Sequence, residues 1–418
     1  MTSVTPGSLG ELYDPLGVHM DDPYPFFARA RREAPIFFSP KADAWVVTRL
    51  RDIKEVLRDG KTYSSCNSLR PLTPLSPKVQ ELLATGYPEV PNFVQLDGEE
   101  HRRQREPAAA AFSPEMVDAT EADIVEQANA LVDAIIEGGV PVDFMGAFAN
   151  RLPVSVIAKL VGYPPEQHET MGNLSRKAAG IVIGLRFESE DEELDAAHAW
   201  LQYQRMVARL LHERRAEPRF DLMSGLVMTL GPEDDDAPLP LEVEALIVHI
   251  GFGLALAGHI TTSALLGNGL RALLEHPEQW RLLCERPELI PSAVEEIARF
   301  DTPTLSFMRQ TTTETMLARQ RLPAGADVLV SLASGNHDET VFDRADEFDI
   351  TRTLPTSHVV FGYGAHYCVG APLARREIEV ALSVLTSRLP GLRLVPDQQI
   401  AMRPSVSQRG PLSLHVTW

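Results

Sequence analysis

Between Ala245 and Leu270 the chain carries no Asp, Glu, Lys or Arg, a run long enough to cross a membrane. Six polar side chains, His249, His259, Thr261, Thr262, Ser263 and Asn268, interrupt it together with five glycines. That mixture suits a helix apolar all round and buried in a large protein better than a lipid-facing one, so it is read as the central core helix. Helical spacing also marks Asp22 to Glu33, Arg51 to Arg58, and the region from Pro114 to about Glu217, with breaks at Gly138-Gly139, Gly162 to Pro165 and the acidic run Glu188 to Glu193. More helices are expected after the core helix, through Phe300. Ile36 to Phe38 and Ala44 to Thr48 predict a small β-hairpin, Asp327 to Leu332 a strand, and Arg393 to Trp418 a terminal hairpin. Gly231 to Pro240, with three consecutive aspartates and three prolines, is a loop leading into the core helix. Cys66 to Leu96, rich in Pro, Leu and Gly, reads as a long irregular segment of the kind that covers a binding site. The expected class is mainly α with small β-sheets. No repeat or low-complexity linker divides the chain, so 1–418 is read as a single domain, with 1–20 a flexible N-terminal segment.

Length alone, at 418 residues, would allow two or three domains. The hydrophobic fraction of 44% is enough for a sizeable core. A net charge of −19 argues against nucleic acid, whose phosphates need concentrated Lys and Arg. Cys66, Cys284 and Cys368 match neither a zinc site nor a disulfide framework, which fits a reducing cytoplasm. Met1 to Asp14 shows no basic stretch followed by an apolar run, so no signal peptide or membrane anchor is expected. Arg102, Arg103 and Arg105 with Arg375-Arg376 form either a basic face for an acidic electron donor or ordinary solvated arginines; both readings stay open.

The candidate chemistry starts at Phe361-Gly362-Tyr363-Gly364-Ala365-His366-Tyr367-Cys368-Val369-Gly370. The glycines suit tight turns or close approach to a flat macrocycle, and Pro372 suits the first turn of a following helix. Cys368 would face that helix's N-terminus, where amides and the helix dipole favour a charged sulfur, the form that ligates haem iron. A lone cysteine is otherwise most often a buried structural one. In Ala257-Gly258-His259-Ile260-Thr261-Thr262, Thr261 lies four residues after Ala257, so its hydroxyl can bond that carbonyl and locally bend the helix. Glu296 and Arg299, three residues apart on a helix, could bond along one face; by itself that pattern is common and weak. His101 and Arg105 share a helix face in the same way.

Phe361, Gly362, Gly364, His366, Cys368, Gly370, Leu373, Ala374 and Glu377 fall on the signature of the cytochrome P-450 family. The threonine motif, Glu296-x-x-Arg299 and Asn336-His337-Asp338 with Phe342, Phe348 and Arg352 follow the family's order, so the resemblance runs from about Asp22 to Trp418. It implies a cytochrome P-450 fold in which haem lies between the long central helix and the cysteine-containing loop and helix. It further implies Cys368 as axial ligand of the iron of haem b, Phe361 shielding the sulfur, and His366, His101, Arg105, Arg309 and His358 at propionate positions. Gly362 and Gly370 would shape the cofactor loop. Thr261, Ala257 and Gly258 match the oxygen-binding groove, while Glu296 and Arg299 match a pair that locks the core and takes no part in catalysis. The resemblance is to soluble bacterial-type monooxygenases, which insert one atom of O2 into a substrate.

Hydroxylation of a medium or large hydrophobic small molecule, such as a polyketide, terpenoid or peptide-derived metabolite, is the expected outcome. Epoxidation, oxidative coupling and a peroxide-driven reaction would use the same motifs, and a non-enzymatic haem sensor or carrier is the further alternative. The expected partners are a ferredoxin and a ferredoxin reductase fed by NAD(P)H, with no nucleic acid and no membrane, for a cytoplasmic monomer. The pocket walls should come from Cys66 to Leu96, about Ala178 to Trp200, Leu254 to Thr261, Pro303 to Phe307, and Val406 to Ser407. One departure matters. The family's acid before the threonine is replaced by Ile260, which has no proton to relay. Either water, a substrate hydroxyl, His259 or another side chain substitutes, or turnover is slow and poorly coupled with the natural donor.

Overall fold

The computed structural model describes residues 7–15, 17–70, 74–182, 187–232, 237–353, 358–405 and 407–418. Along the chain come α1 (Leu9–Leu12), α2 (Tyr24–Glu33), β1 (Ile36–Ser39), β2 (Ala44–Val47), α3 (Leu50–Arg58), β3 (Tyr63–Ser64) and α4 (Pro77–Leu83). The predicted hairpin pairs as expected, with Phe37 opposite Val46. The 66–96 segment is not wholly irregular. Ser76 accepts a hydrogen bond from the Val79 amide and Pro77 opens the first turn, which together start α4.

The helical half follows as α5 (Gly98–Ala111), α6 (Pro114–Gly138), β4 (Val142–Asp143), α7 (Leu152–Val161), α8 (Pro165–Val182), α9 (Glu190–Ala216), α10 (Leu222–Leu230), α11 (Leu241–Glu275), α12 (Pro277–Glu285) and α13 (Ile290–Phe300). A short π-helical turn, Met145–Ala149, precedes α7. The acidic run begins a helix where a break was expected. Ser189 caps α9 by accepting from the Glu192 amide, and Glu190, Asp191, Glu192 and Glu193 occupy the first turn, where negative charge complements the dipole. Likewise α10 lies beyond the expected end of helix near Glu217, started by the Asp221 cap.

The remainder comprises β5 (Ser306–Thr311), β6 (Thr315–Leu317), β7 (Gln320–Leu322), β8 (Asp327–Ser331), α14 (Leu332–Asn336), α15 (Ala371–Arg388), β9 (Arg393–Leu394) and β10 (His415–Thr417). One sheet has the order β1-β2-β8-β5-β3. In it β2 and β8 run parallel, Val46 opposite Leu329, and β5 and β8 antiparallel, Met308 opposite Leu329. The sheet therefore ties the N-terminal hairpin to the segment that carries Arg309. The terminal hairpin forms as β9 and β10, with β4 added on the other edge of β10.

One buried apolar cluster extends from Phe93 to Val416 through the helical half, and another underlies the sheet from Ile36 to Val359. Among the described residues α11 is the helix long and apolar enough to cross a membrane, and most of its apolar stretch is buried within the fold. It packs against α7, α8, α9 and α13. This central position makes any exposed point on α11 informative.

Candidate active site

The cysteine loop is shaped by two left-handed turns. Gly362 has φ +73° and Gly364 φ +74°, and a Cβ on Gly364 would lie 2.7 Å from the Leu57 carbonyl oxygen, so the loop is pressed against the end of α3. The Cys368 amide donates to the Phe361 carbonyl at 2.7 Å, and α15 starts three residues later at Ala371, with Pro372 in its first turn. Cys368 is exposed, although enough protein surrounds the sulfur that burial pushes the thiol up. Against that act the Gly370 and Ala371 amides and the charges of Arg105 and Arg375. Gly370, at φ −85°, is neither in a left-handed turn nor crowded by protein.

Phe361 beside this loop is covered by the Arg375 guanidinium, 4.3 Å from the ring centre. Arg375 bonds Glu295 at 2.5 Å, and His358 Nε2 meets the same carboxylate at 2.9 Å. Burial alone would raise Glu295, yet the bonds from His358 and Arg375 outweigh it and hold this carboxyl at about 2. His358, expected at a propionate position, is thus engaged with Glu295.

His101 and Arg105 lie on α5 as predicted. The His101 ring is buried and packs 4.2 Å from that of His366, and its Nε2 has no hydrogen-bond partner among the described residues. Burial, with the charges of His366 and Arg105, lowers it to about 4. His366 Nε2 lies 3.0 Å from Ser65 Oγ and 3.4 Å from Asp97 Oδ1. Burial works to raise Asp97, but hydrogen bonds from His366, Ser64 and Ser65 pull it to about 2. Arg105 donates to the Tyr367 carbonyl, next to Cys368. Arg309 is buried on β5, donating to Met308 O at 2.7 Å and Ser68 Oγ at 3.1 Å. No carboxylate reaches ion-pair distance of it among the described residues, and burial pushes it down to about 10 against the pull of Asp97.

On α11, Thr261 Oγ1 donates to the Ala257 carbonyl at 2.8 Å, the bond its spacing predicted. Ala257 is exposed and Gly258 and Thr261 are half-buried, an accessible stripe in the middle of the core helix. Gly258 has its own reason to be glycine: a Cβ there would lie 2.6 Å from the Ile157 side chain of α7. It serves helix packing rather than widening the stripe. Ile260 is buried in the core. His259, also buried, pairs through Nε2 with Ser175 Oγ of α8, and burial lowers it to about 3. A neutral ring tied to Ser175 is poorly placed to relay protons.

Glu296 and Arg299 are completely buried and bond through both oxygens at 2.8 Å. Arg299 also donates to the carbonyls of Asn336, Ala345 and Glu347, while Arg352 Nε and the Asp349 amide reach Glu296 Oε1 at 3.2 and 3.0 Å. The arginines proposed as a basic face are largely neutralised by their own chain. Arg102 pairs with Glu99, Arg103 with Glu100, Arg375 with Glu295, and Arg376 with Asp118 and Glu121. Of the expected pocket walls, 71–73, 183–186 and Val406 lie outside the described residues. The 66–96 segment is fastened by Tyr87 Oη donating to Glu244 at 2.5 Å and by His249 Nε2 at 2.9 Å from the Pro88 carbonyl.

A family model for cytochrome P-450 matches residues 195–399. A mycinamicin IV hydroxylase/epoxidase of Micromonospora griseorubida is 34% identical over 379 residues, 90% of each chain. A nocardicin C N-oxygenase of Nocardia uniformis subsp. tsuyamanensis is 35% identical over 405 residues, 95% of this chain and 96% of its own. The chain belongs to the cytochrome P-450 family. Among solved structures, a cytochrome P-450 in complex with (4-ethylphenyl) dihydrogen phosphate superposes with a TM-score of 0.89 at 30% identity, over 98% of this chain and 100% of that one.

The protein is therefore a haem-thiolate monooxygenase that uses O2 and receives electrons from redox partners. Its residues fit a haem. Buried cofactor carboxylates need donors or cations, and the unpartnered His101 Nε2 and the counter-ion-free Arg309 supply both. Sequence reasoning missed Glu295. It sits beside Glu296, so the pair reads locally as two adjacent acids on a helix; only the fold reveals that one faces Arg299 and the other Arg375.

Proposed function

We propose that Cys368 is the axial ligand of haem b, with His101, Arg105, Arg309 and His366 holding its propionates. His358 would join them by exchanging Glu295 for a cofactor carboxylate. Bound haem supplies the one-electron chemistry that activates dioxygen and places one of its atoms in the substrate. The protein's residues then have separate tasks. The Gly370 and Ala371 amides, with Arg105 and Arg375, oppose the effect of burial and favour thiolate at Cys368. Arg375 fixes Phe361 beside that sulfur. The absence of a side chain at Gly370, which the protein's own packing does not demand, leaves room for the macrocycle. Thr261 carries a hydroxyl that can swing from the Ala257 carbonyl to hold water or pass a proton in the stripe it shares with Ala257. With Ile260 apolar and His259 tied to Ser175, water or a substrate hydroxyl delivers the proton. Glu296 and Arg299 serve the core alone.

The observation that carries this reading is the gathering of His101, His366, Arg105 and Arg309 about the Cys368 loop, with Asp97 the acid that bears on His101, His366 and Arg309 among the described residues. The substrate is a medium or large, mainly apolar small molecule that is hydroxylated; relatives named for mycinamicin IV and nocardicin C support a place in secondary metabolism. Electrons come from a ferredoxin and its reductase. The chain works as one domain and a cytoplasmic monomer.

Reconstituted with ferredoxin, reductase, NAD(P)H and O2, the protein forms oxygenated product, and Thr261→Ala forms about tenfold less per reducing equivalent. Unchanged coupling would mean that protons bypass this hydroxyl. The buried Ile260 favours one competing reading, a peroxide-driven reaction. Product with peroxide and none with the reductive system would establish that route instead.

A further inference from the structure

Glycine weakens the interior of a helix relative to alanine, so a glycine on a core helix needs a reason. Five stand on α11, and four find theirs in packing. A Cβ on Gly251 would lie 2.8 Å from the Met223 side chain, on Gly258 2.6 Å from Ile157, on Gly267 2.6 Å from Met145 and on Gly269 2.5 Å from Ile297. Each lets another element come close. Gly253 is different. A Cβ there would meet nothing within 4 Å among the described residues, and the position is half-buried although its neighbours Phe252 and Leu254 are buried.

That open place lies on the reactive side of the helix. Gly253, Ala257 and Thr261 follow at intervals of four, each turned about 40° from the last, so all three fall within about 80° of arc with Ala257 in the middle. Ala257 is exposed, and Gly253 and Thr261 are half-buried. Neighbouring helices take other parts of the circumference: the Phe252 ring packs 4.6 Å from Tyr203 of α9, Gly258 faces Ile157 of α7, and His259 bonds Ser175 of α8. From Thr261 back to Gly253 the helix rises about 12 Å. One turn beyond Gly253, His249 Nε2 lies 2.9 Å from the Pro88 carbonyl, so the 66–96 segment closes over the helix there. Between His249 and Thr261 the helix has one polar side chain, His259, already held by Ser175.

We propose that Gly253 is a specificity-determining residue: the substrate lies lengthwise along α11, its reacting carbon beside Thr261 and a remote apolar part over Gly253, in space that a larger side chain would fill. This rests on the monooxygenase reading, which puts the reacting end at Thr261. The substrate is then an elongated molecule that reaches about 12 Å from the carbon oxidised, and α11 meets its remote part with carbon alone. A compact substrate held near Thr261 and Ala257 would gain nothing from the glycine.

The test uses the haem-loaded protein and two ligands that bind iron through a ring nitrogen, so that one end is pinned and the tail reports how far the pocket runs: 1-butylimidazole and 1-dodecylimidazole. Affinities are read by the Soret shift. In the unmodified protein the longer tail should add about tenfold or more. G253L should weaken 1-dodecylimidazole about tenfold or more and 1-butylimidazole less than about twofold, and G253A should show the same order at smaller size. Thermal melting separates room for a ligand from room for packing. G253A should melt no lower than the unmodified protein, whereas G269A, which drives a methyl into Ile297, should melt lower. A dodecyl tail that adds nothing in the unmodified protein, equal losses for the two ligands, no loss for either, or a lower melting temperature in G253A would overturn the proposal. The carbon monoxide spectrum of the same preparations separates the two levels. A thiolate-type band without discrimination by tail length sinks the role of Gly253 alone, whereas loss of that band from the unmodified protein sinks the reading beneath it.

Discussion

Arg299 and Arg309 are both buried arginines, 0% and 5% exposed, and they are held in opposite ways. Arg299 has a fully buried carboxylate on the next turn and three backbone carbonyls besides, so its charge and its donors are matched within the chain. Arg309 has a hydroxyl and a carbonyl but, among the described residues, no carboxylate. Desolvating an arginine is expensive in either place, but in the first the cost is offset during folding, and in the second the proposed function leaves the offset to a cofactor carboxylate. The difference separates what the chain needs to fold from what it needs to bind.

That distinction can be broken first at its strongest point. Glu296→Ala leaves Arg299 and Arg352 facing a buried position without its carboxylate, and should cost about 3–5 kcal/mol of unfolding free energy. Chemical denaturation measures it; a loss below about 1 kcal/mol would erase the contrast with Arg309. Next, Arg309→Met should change the stability of the haem-free protein by no more than about 1 kcal/mol, since it removes an uncompensated charge, while haem transfers to apomyoglobin about tenfold faster. Equal effects on both would show that Arg309 is structural.

The smallest effect concerns acid. Glu295 is held at about 2, below its ordinary 4.5, so it stabilises the fold fully above 4.5 and loses that contribution as pH falls toward 2. Glu295→Gln should therefore melt with less pH dependence across this window than the unmodified protein. Parallel curves would mean that Glu295 binds its proton alike in the folded and unfolded chain, so that its bonds to Arg375 and His358 add no stability in this window.

The parts of the site legible in the sequence are those whose partners lie close in the chain. Thr261 and Ala257 are one helical turn apart, Glu296 and Arg299 nearly so, and the loop from Phe361 to Gly370 contains its own turn chemistry. Glu295 and Arg375 lie 80 residues apart, and nothing local announces their bond. The same holds for Gly258, whose reason is Ile157 on α7, and for β5, whose place beside β8 fixes Arg309. Two elements were missed for another reason. Ser76-Pro77 and Asp221 are ordinary helix starts, but a Pro- and Gly-rich composition around the first and a short apolar run after the second concealed them. The overall α-rich plan was accessible because α11 is so strongly marked.

The central claim is that the Cys368 sulfur is the ligand around which these cations are arranged. The direct measurement is the absorption spectrum of the reduced, haem-loaded protein under carbon monoxide, for the unmodified chain and for Cys368→Ser. The strongly red-shifted Soret band of a thiolate-bound haem should appear in the first and vanish in the second; the same band in both would place the ligand elsewhere.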